Sequence, residues 1–454
     1  VTTSQQTQAA LQPFWDATGT SPVPDVPIVS GRDAEVAAEH SAFRVSTCAN
    51  ASVAAVNAAV AEFAGREVEP IDPSLCLASY TTHVTVDGTA PPKWASLSGL
   101  YETGDDRHIQ LHCNFPHHGA GVARRLGVAE DREAFESAIR TWGAVELETQ
   151  LIEDAMIAAA CRTLDEWDAH PHAISTSALP IASITSLTDD SGAAARNRSG
   201  TNRGPLSGLR VLDCSRVLAG PVAGHTLANL GADVLRVGAA HLPHVEVCVI
   251  ATGAGKRNTD IDLRQPSGRE TFARLLKDVD VVIDAFRPGA LDQFGFGAQD
   301  IAAIAPAASV VQICAFDWVG PWAGRRGFDS IVQTTTGIRM VGMEMAGTNV
   351  PTPLPVQALD YATGYFGAAA AIRAAHQSRN GGGSSLSRLS LLRTRNWLVG
   401  LGDPAPFTPG AITPEASQLA TIAGDMGNVE MVRPVTGRWH HGPRNLGTSD
   451  PTWA

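Results

Sequence analysis

The middle of the chain alternates short β-branched runs with helix-spaced stretches. Leu209–Asp213 reads LRVLD, Asp233–Val237 DVLRV, Val279–Ala285 VDVVIDA and Ser309–Ala315 SVVQICA. Each is short, apolar and bounded by turn residues, so each predicts a strand. Between them, Pro221–Leu230 has helical spacing and stops at Gly231, and Ser267–Lys277 puts Phe272, Leu275 and Leu276 on one helical face. Strands separated by helix-length segments predict βαβ units, a parallel sheet and right-handed crossovers.

The first part of the chain has another pattern. Val45–Phe63 is rich in alanine and valine with a helical period, and Gly99–His112 predicts a hairpin turning at Gly104-Asp105-Asp106. Arg132–Trp142 and Val145–Ala160 predict helices, and His170–Pro180 has extended character. This mixture is α+β. The polar run TDDSGAAARNRSGTNRG, Thr188–Gly204, predicts a flexible linker. Gln377–Ser387 is a second loose, glycine-rich stretch, and the Pro- and Gly-rich tail after Gly402 predicts a long irregular arm.

Composition narrows the class. With 44% hydrophobic and 18% charged residues over 454 positions, a soluble chain of two to three domains is expected. A net charge of −12 argues against nucleic acid as the main partner, because phosphate binding leaves a basic footprint. The seven cysteines are scattered without a C-x-x-C pair, which predicts reduced thiols in the cytoplasm. No apolar run approaches the ~18 residues of a membrane span, and residues 1–12 lack a signal-peptide core. The pairs His117-His118, His170/His172 and His440-His441 lack partners at ligand spacing, so no metal is expected.

Three stretches could carry chemistry. In Ser207–Val237 a strand enters a loop, and Gly220-Pro221 opens a helix beside the small residues Ala219, Ala223 and Gly224. Free N–H groups there suit a phosphate or carboxylate, but a plain βαβ turn fits the same residues. In Gly253–Glu270, Lys256 and Arg257 follow a Gly pair and could hold a pyrophosphate, or form a solvated basic turn. In Asp284–Phe296, Phe286 and Arg287 follow a strand and suit adenine and phosphate, or are a core aromatic beside a solvated cation.

Together these stretches resemble the family III CoA-transferases, a group that also includes α-methylacyl-CoA racemase. The matching blocks are PLSGLRVLDCSRVLAGPVAGHTLANLGADVLRV, GKRNTDIDLR, DAFRPGALDQFGF, GPWAGRRGFDSIVQTTTG and ALDYATGYFGAAAAIRAA, in the family's order from Pro205 to Ala375. The resemblance implies a Rossmann-like, parallel-sheet CoA-binding domain plus a smaller α+β domain. It implies Asp360 as the catalytic carboxylate, with an N-cap role for the following helix as the structural alternative. It places Ala219, Gly220, Pro221, Arg236, Lys256, Arg257, Phe286 and Arg287 around CoA. Coenzyme A is then a cosubstrate, with no metal and no redox cofactor, and the partners are acyl-CoA and organic acids rather than nucleic acid or membrane. A homodimer is expected. Racemases of the family carry a Gly-His-Asp block where this chain has Gly327-Phe328-Asp329, which favours transfer over racemisation. An oxyanion site is needed, with Gly381–Gly383 as a candidate.

The order of parts is unusual. SGLYETGDDRHIQLHCNFPHH and TLDEWDAHPHA resemble the family's small domain, yet they precede the nucleotide part, and VSTCANASVAAVNAAVAEF resembles a degenerate catalytic helix with Cys48 near the aspartate's place. The chain therefore divides into a degenerate first unit with the small domain (1–187), a linker (188–204), the CoA-binding domain (205–376), and a glycine-rich loop with a return arm (377–454).

Overall fold

The computed structural model describes residues 2–19, 21–29, 40–188 and 203–454, so residues 189–202 of the expected linker lie outside the described residues. The centre is a seven-strand sheet. Its strands, numbered in chain order, are β1 (Ala182–Ser186), β2 (Arg210–Cys214), β3 (Asp233–Gly238), β4 (Arg257–Asp260), β5 (Val281–Asp284), β6 (Ser309–Cys314) and β7 (Ser385–Ser390). They lie in the order β1-β7-β6-β5-β2-β3-β4. All neighbours are parallel except β1, which runs antiparallel to β7 with Ala182 opposite Leu389. From β2 the chain winds outward to β3 and β4, then returns to β5 on the other side of β2 and winds outward again. That reversal opens a crevice at the carboxyl ends of β2 and β5, where open α/β sheets bind ligands.

Both faces of the sheet are covered, which is why its strands read as continuous apolar runs rather than alternating ones. Helices Pro266–Leu276 and Ala298–Ile304 pack on one face around Phe272, Leu276 and Ile301. On the other face lie three helices, here α1 (Val45–Ala64), α2 (Ala219–Asn229) and α3 (Ala358–Arg379). α3 packs against β6 and α2, and α1 lies along α3. Nearly every side of α3 is buried, and its glycines lie where α2 approaches. A Cβ on Gly364 would sit 2.6 Å from the Ala219 carbonyl oxygen and 2.7 Å from Val222, so α3 and α2 meet almost backbone to backbone.

The residues before the linker take two places. Helix α1 and strand β1 belong to the core and the sheet just described. A separate small module has its own core around Tyr101, Ile109, Phe135 and Leu147. Its antiparallel strands are Gly99–Glu102, His108–Leu111 and Ala158–Ala160. The expected hairpin forms, with Gly99 opposite Leu111 and Asp106 at φ +58° in the turn.

Three local expectations are corrected. Val145–Ala160 is not one helix: helix Ala144–Glu153 ends, Ala155 turns at φ +60°, and the remaining apolar residues join the small sheet as Ala158–Ala160. His170–Pro180 is not extended. Pro171 starts a short helix, Pro171–Thr176, and the His170 ring accepts from the His172 N–H as its cap. The tail is not wholly irregular either. Leu419–Gly424 and Gly427–Val432 form a hairpin that adds to Val84–Val86, and the Trp453 indole N–H donates to the Leu275 carbonyl at 3.2 Å. Pairing with distant strands supplied the order that composition argued against.

Candidate active site

A cavity of about 710 Å³ runs along the carboxyl edge of the sheet. Loops after β2, β3, β4 and β5 form its walls, with Gly327-Phe328 on the side of β6 and Phe115, His117 and His118 reaching in from the small module. Asp360, third residue of α3, lies in the same wall beside Ala219 and Gly220. A Cβ on Gly220 would meet the Cβ atoms of Ser215 at 2.5 Å and Ala285 at 2.7 Å, so glycine lets α2 start directly over the strand ends.

Asp360 is 7% exposed. Burial, then the neighbouring Asp329 carboxylate, push its pKa well above the usual range, and the Ala219 N–H, which bonds to its carboxyl group, opposes them. Asp329 is fully buried and accepts from the backbone N–H groups of Leu359 at 2.8 Å and Asp360 at 3.0 Å. The Gln333 side-chain amide bonds to its other oxygen. Burial raises the Asp329 pKa to about 6 against those three donors. The amino end of α3 is thus capped from another helix by Asp329, and Gln357 at the N-cap makes no side-chain bond there. The Asp360 carboxyl is free of the capping role that the sequence left open. It is a poorly solvated carboxyl group at a ligand-sized crevice, suited to attack an electrophilic carbonyl.

A sequence profile for CoA-transferase family III matches residues 206–402. Residues 206–402 carry the CoA-transferase family III unit. The family is one of enzymes, and the match spans every strand from β2 to β7 together with Asp360. A succinate–glutarate CoA-transferase of Agrobacterium fabrum is 35% identical over 255 residues, covering 48% of this chain and 63% of the relative. A probable fatty acyl-CoA transferase of Mycobacterium tuberculosis is 32% identical over 197 residues, 39% of this chain and 48% of the relative. The crystal structure of a CaiB/BaiF family protein from Brucella suis superimposes with a TM-score of 0.39 at 27% identity, covering 50% of this chain and 65% of that one. The chain therefore spans less than two thirds of the length of these relatives.

Within the family III unit the structure sorts the expected CoA residues into two groups. Ala219, Gly220, Phe286 and Arg287 line the cavity. Pro221, Arg236, Lys256 and Arg257 are not among its lining residues. The Lys256 ammonium is 2% exposed, pairs with Asp213 at 2.9 Å and donates to the Pro221 carbonyl at 3.2 Å. Arg257 makes a forked pair with Asp233, 2.8 Å at its shortest, and donates to the Thr452 carbonyl. Arg236 is 7% exposed, with Asp213 and Asp260 as its charged neighbours. The Gly253–Arg257 turn is therefore not an open phosphate cradle. Its two cations tie the start of β4 to the strands and tail around it, each through a pair with a carboxylate. The Gly381–Gly383 candidate is corrected too. It follows the carboxyl end of α3, 22 residues and ~33 Å of helix from the end that carries Asp360.

Other residues came to the cavity unforeseen. Arg216, Phe115, His117, His118 and Arg326 line it. Among the described residues no group of three or more His, Cys, Asp or Glu side chains could hold a metal ion. Phe328, standing where racemases carry histidine, stacks face to face on the His112 ring at 3.8 Å. Burial and then His118 lower the His112 pKa to about 3, so this imidazole is neutral. No spacing signal could have joined residues 112–118 to 328, since only the docking of the small module brings them together.

Proposed function

We propose that the protein transfers CoA from an acyl-CoA to a carboxylic acid, with Asp360 as the covalent nucleophile. The observation that carries this reading is the Asp360 carboxyl in the cavity wall beside Ala219, released from capping by Asp329. An Asp360 oxygen attacks the thioester carbonyl, the C–S bond breaks, and CoA leaves as thiolate with an aspartyl anhydride in its place. The thiolate attacks the aspartyl carbonyl carbon, the anhydride C–O bond breaks, and the donor acid departs as carboxylate. The acceptor carboxylate then attacks the aspartyl-CoA carbonyl, the C–S bond breaks to leave a second anhydride and CoA thiolate, and thiolate attack on the acceptor's carbonyl breaks that anhydride's C–O bond, yielding the new acyl-CoA and freeing Asp360.

We assign Phe286 and Arg287, which both line the cavity, to the nucleotide part of CoA, because an aromatic ring can stack on adenine and a guanidinium can pair with phosphate. Burial fits the chemistry as well, since water in the crevice would hydrolyse the anhydride and thioester. The relatives whose names state a reaction are CoA-transferases acting on acids such as succinate and glutarate, in keeping with this class of reaction.

The test is to trap the intermediate. Protein incubated with an acyl-CoA and then hydroxylamine should gain a hydroxamate on the peptide containing Asp360, seen by mass spectrometry, and Asp360→Ala should lose both adduct and transfer. An Asp360→Ala protein with full transfer activity overturns the reading. Deuterium exchange at the acyl α-carbon without transfer would instead indicate an α-proton enzyme.

A further inference from the structure

Asp329 is a buried charge one step behind the cavity wall. It is fully buried and is not among the lining residues, whereas Asp360 is. No side chain caps the helix that Asp329 opens, Asp329–Thr335, and its carboxylate reaches across to the first turn of α3 instead. One oxygen accepts the N–H groups of Leu359 and Asp360, and the other accepts the Gln333 amide. Gln333 cannot turn over, because its own oxygen accepts the Leu354 N–H at 2.9 Å and a backbone N–H can only donate. Asp329 thus meets three donors and no acceptor for a proton of its own, and the neighbouring Arg339 also favours its ionised form.

The two acids are close. The Asp329 oxygen lies 3.0 Å from the Asp360 nitrogen. The Asp360 carboxyl carbon is three bonds from that nitrogen, at most about 4 Å away, so the two carboxyl groups lie within about 7 Å. Both are buried, so water and salt screen them little. Among the described residues no cation pairs with either carboxyl group. The Cys248 thiol also faces Asp360, and burial keeps it protonated, with its pKa pushed up to about 12. Transfer changes the charge of one member only. In the first half-reaction the acyl C–S bond breaks, an aspartyl C–S bond forms, and the donor acid carries the negative charge of Asp360 out of the crevice. Two like charges become one.

Resting on the transfer reading, we propose that Asp329 is a positioning residue whose fixed negative charge destabilises the free Asp360 carboxylate and so drives the loading of CoA onto it. The repulsion is relieved in the neutral aspartyl-CoA thioester and returns when the acceptor acid takes CoA away. In the presence of acyl-CoA the protein therefore rests in its loaded form.

The experiment measures the loading equilibrium, the ratio of aspartyl-CoA protein times donor acid to free protein times acyl-CoA, by intact mass spectrometry after acid quench. The full chain is mixed with acetyl-, succinyl-, benzoyl- or octanoyl-CoA and the matching acid from pH 5 to 9. Where free Asp360 is protonated, loading releases a proton, so the constant should rise tenfold per pH unit and level off above the Asp360 pKa. Asp329→Asn and Asp329→Ser, both neutral and both able to accept a backbone N–H, should move that break to lower pH and lower the plateau. The protonated and thioester forms of Asp360 are both uncharged there. The plateau should therefore fall tenfold for each pH unit that the break moves, about 10- to 100-fold in all for charges at this range. A merely structural role would not tie the two quantities together. A wild-type constant that stays flat from pH 5 to 9 overturns the proposal without any variant, and so does a variant plateau equal to the wild type's. If none of these acyl-CoAs leaves a thioester on Asp360, the transfer reading itself fails.

Discussion

Helices α1 and α3 are built alike and used differently. Both are alanine-rich, both are buried on nearly all sides, and they lie along each other. At the amino end of α3, Asp360 faces a crevice made by the loops of five other strands and a neighbouring module. At the amino end of α1, Cys48 is fully buried beside the Tyr80 hydroxyl, and Tyr80 stacks on Tyr361 at 5.1 Å. α1 also starts at Arg44 with no side-chain cap, whereas Asp329 is spent on the start of α3. A close-packed small-residue helix is therefore scaffold in both places. It becomes a site where strand-end loops converge on its first turn and another residue satisfies the backbone, leaving a carboxyl group unspent.

Substitutions can break this comparison. The largest effect belongs to Asp360→Asn, which should cut transfer by at least ~10³-fold by removing the nucleophile. The same change should raise Tm at pH 7. A carboxyl whose folded pKa lies above its unfolded value near 3.8 binds more protons folded than unfolded, so the ionised form costs stability as pH rises through the folded pKa. The gain should vanish below pH ~3.8, where both states are protonated. Equal Tm for the two proteins at pH 7 would show that Asp360 carries no such burden.

Asp329→Ala should cost about 1–3 kcal/mol in denaturant unfolding, because the buried N–H groups of Leu359 and Asp360 lose their acceptor. Removing its charge should also move the acid limb of the kcat–pH profile to lower pH, a shift that a purely structural role would not produce. Gly364→Ala should cost about 1–2 kcal/mol, since overpacking against Ala219 and Val222 outweighs the better helix propensity of alanine.

Acid sensitivity sharpens the view of the small module. The folded His112 pKa is about 3, below an unfolded value near 6.5, so the unfolded chain takes up a proton first. Stability should fall as pH drops from about 6.5 towards 3, and His112→Phe should flatten that slope in pH-dependent melts. Cys48→Ala should have the smallest effect, about 1 kcal/mol of stability and no change in transfer. A loss of transfer there would mean that the two helix ends are functionally linked.

Much of the fold was legible because it rests on local pattern. The runs at 209–213, 233–237, 279–285 and 309–315 became β2, β3, β5 and β6 within a residue or two, and the periodic stretch at 45–63 became α1. The tail hairpin and the strand Ala158–Ala160 were missed because their order comes from partners far away in the chain. Motif order carried Asp360, Phe286 and Arg287 to the cavity, while Lys256 and Arg257 read as ligand-binding cations and proved to be paired with Asp213 and Asp233.

By itself the sequence determined the alternation of strand and helix, the family III unit at 206–402, and the candidate carboxyl group. Tertiary structure decided which cations stay free, which acid caps α3, and that residues 112–118 share a wall with 326–328. The reason is physical. Hydrogen-bonding period and side-chain size act over a few residues. The pairing of a buried charge and the walls of a crevice depend on which groups from distant segments are brought within bonding distance.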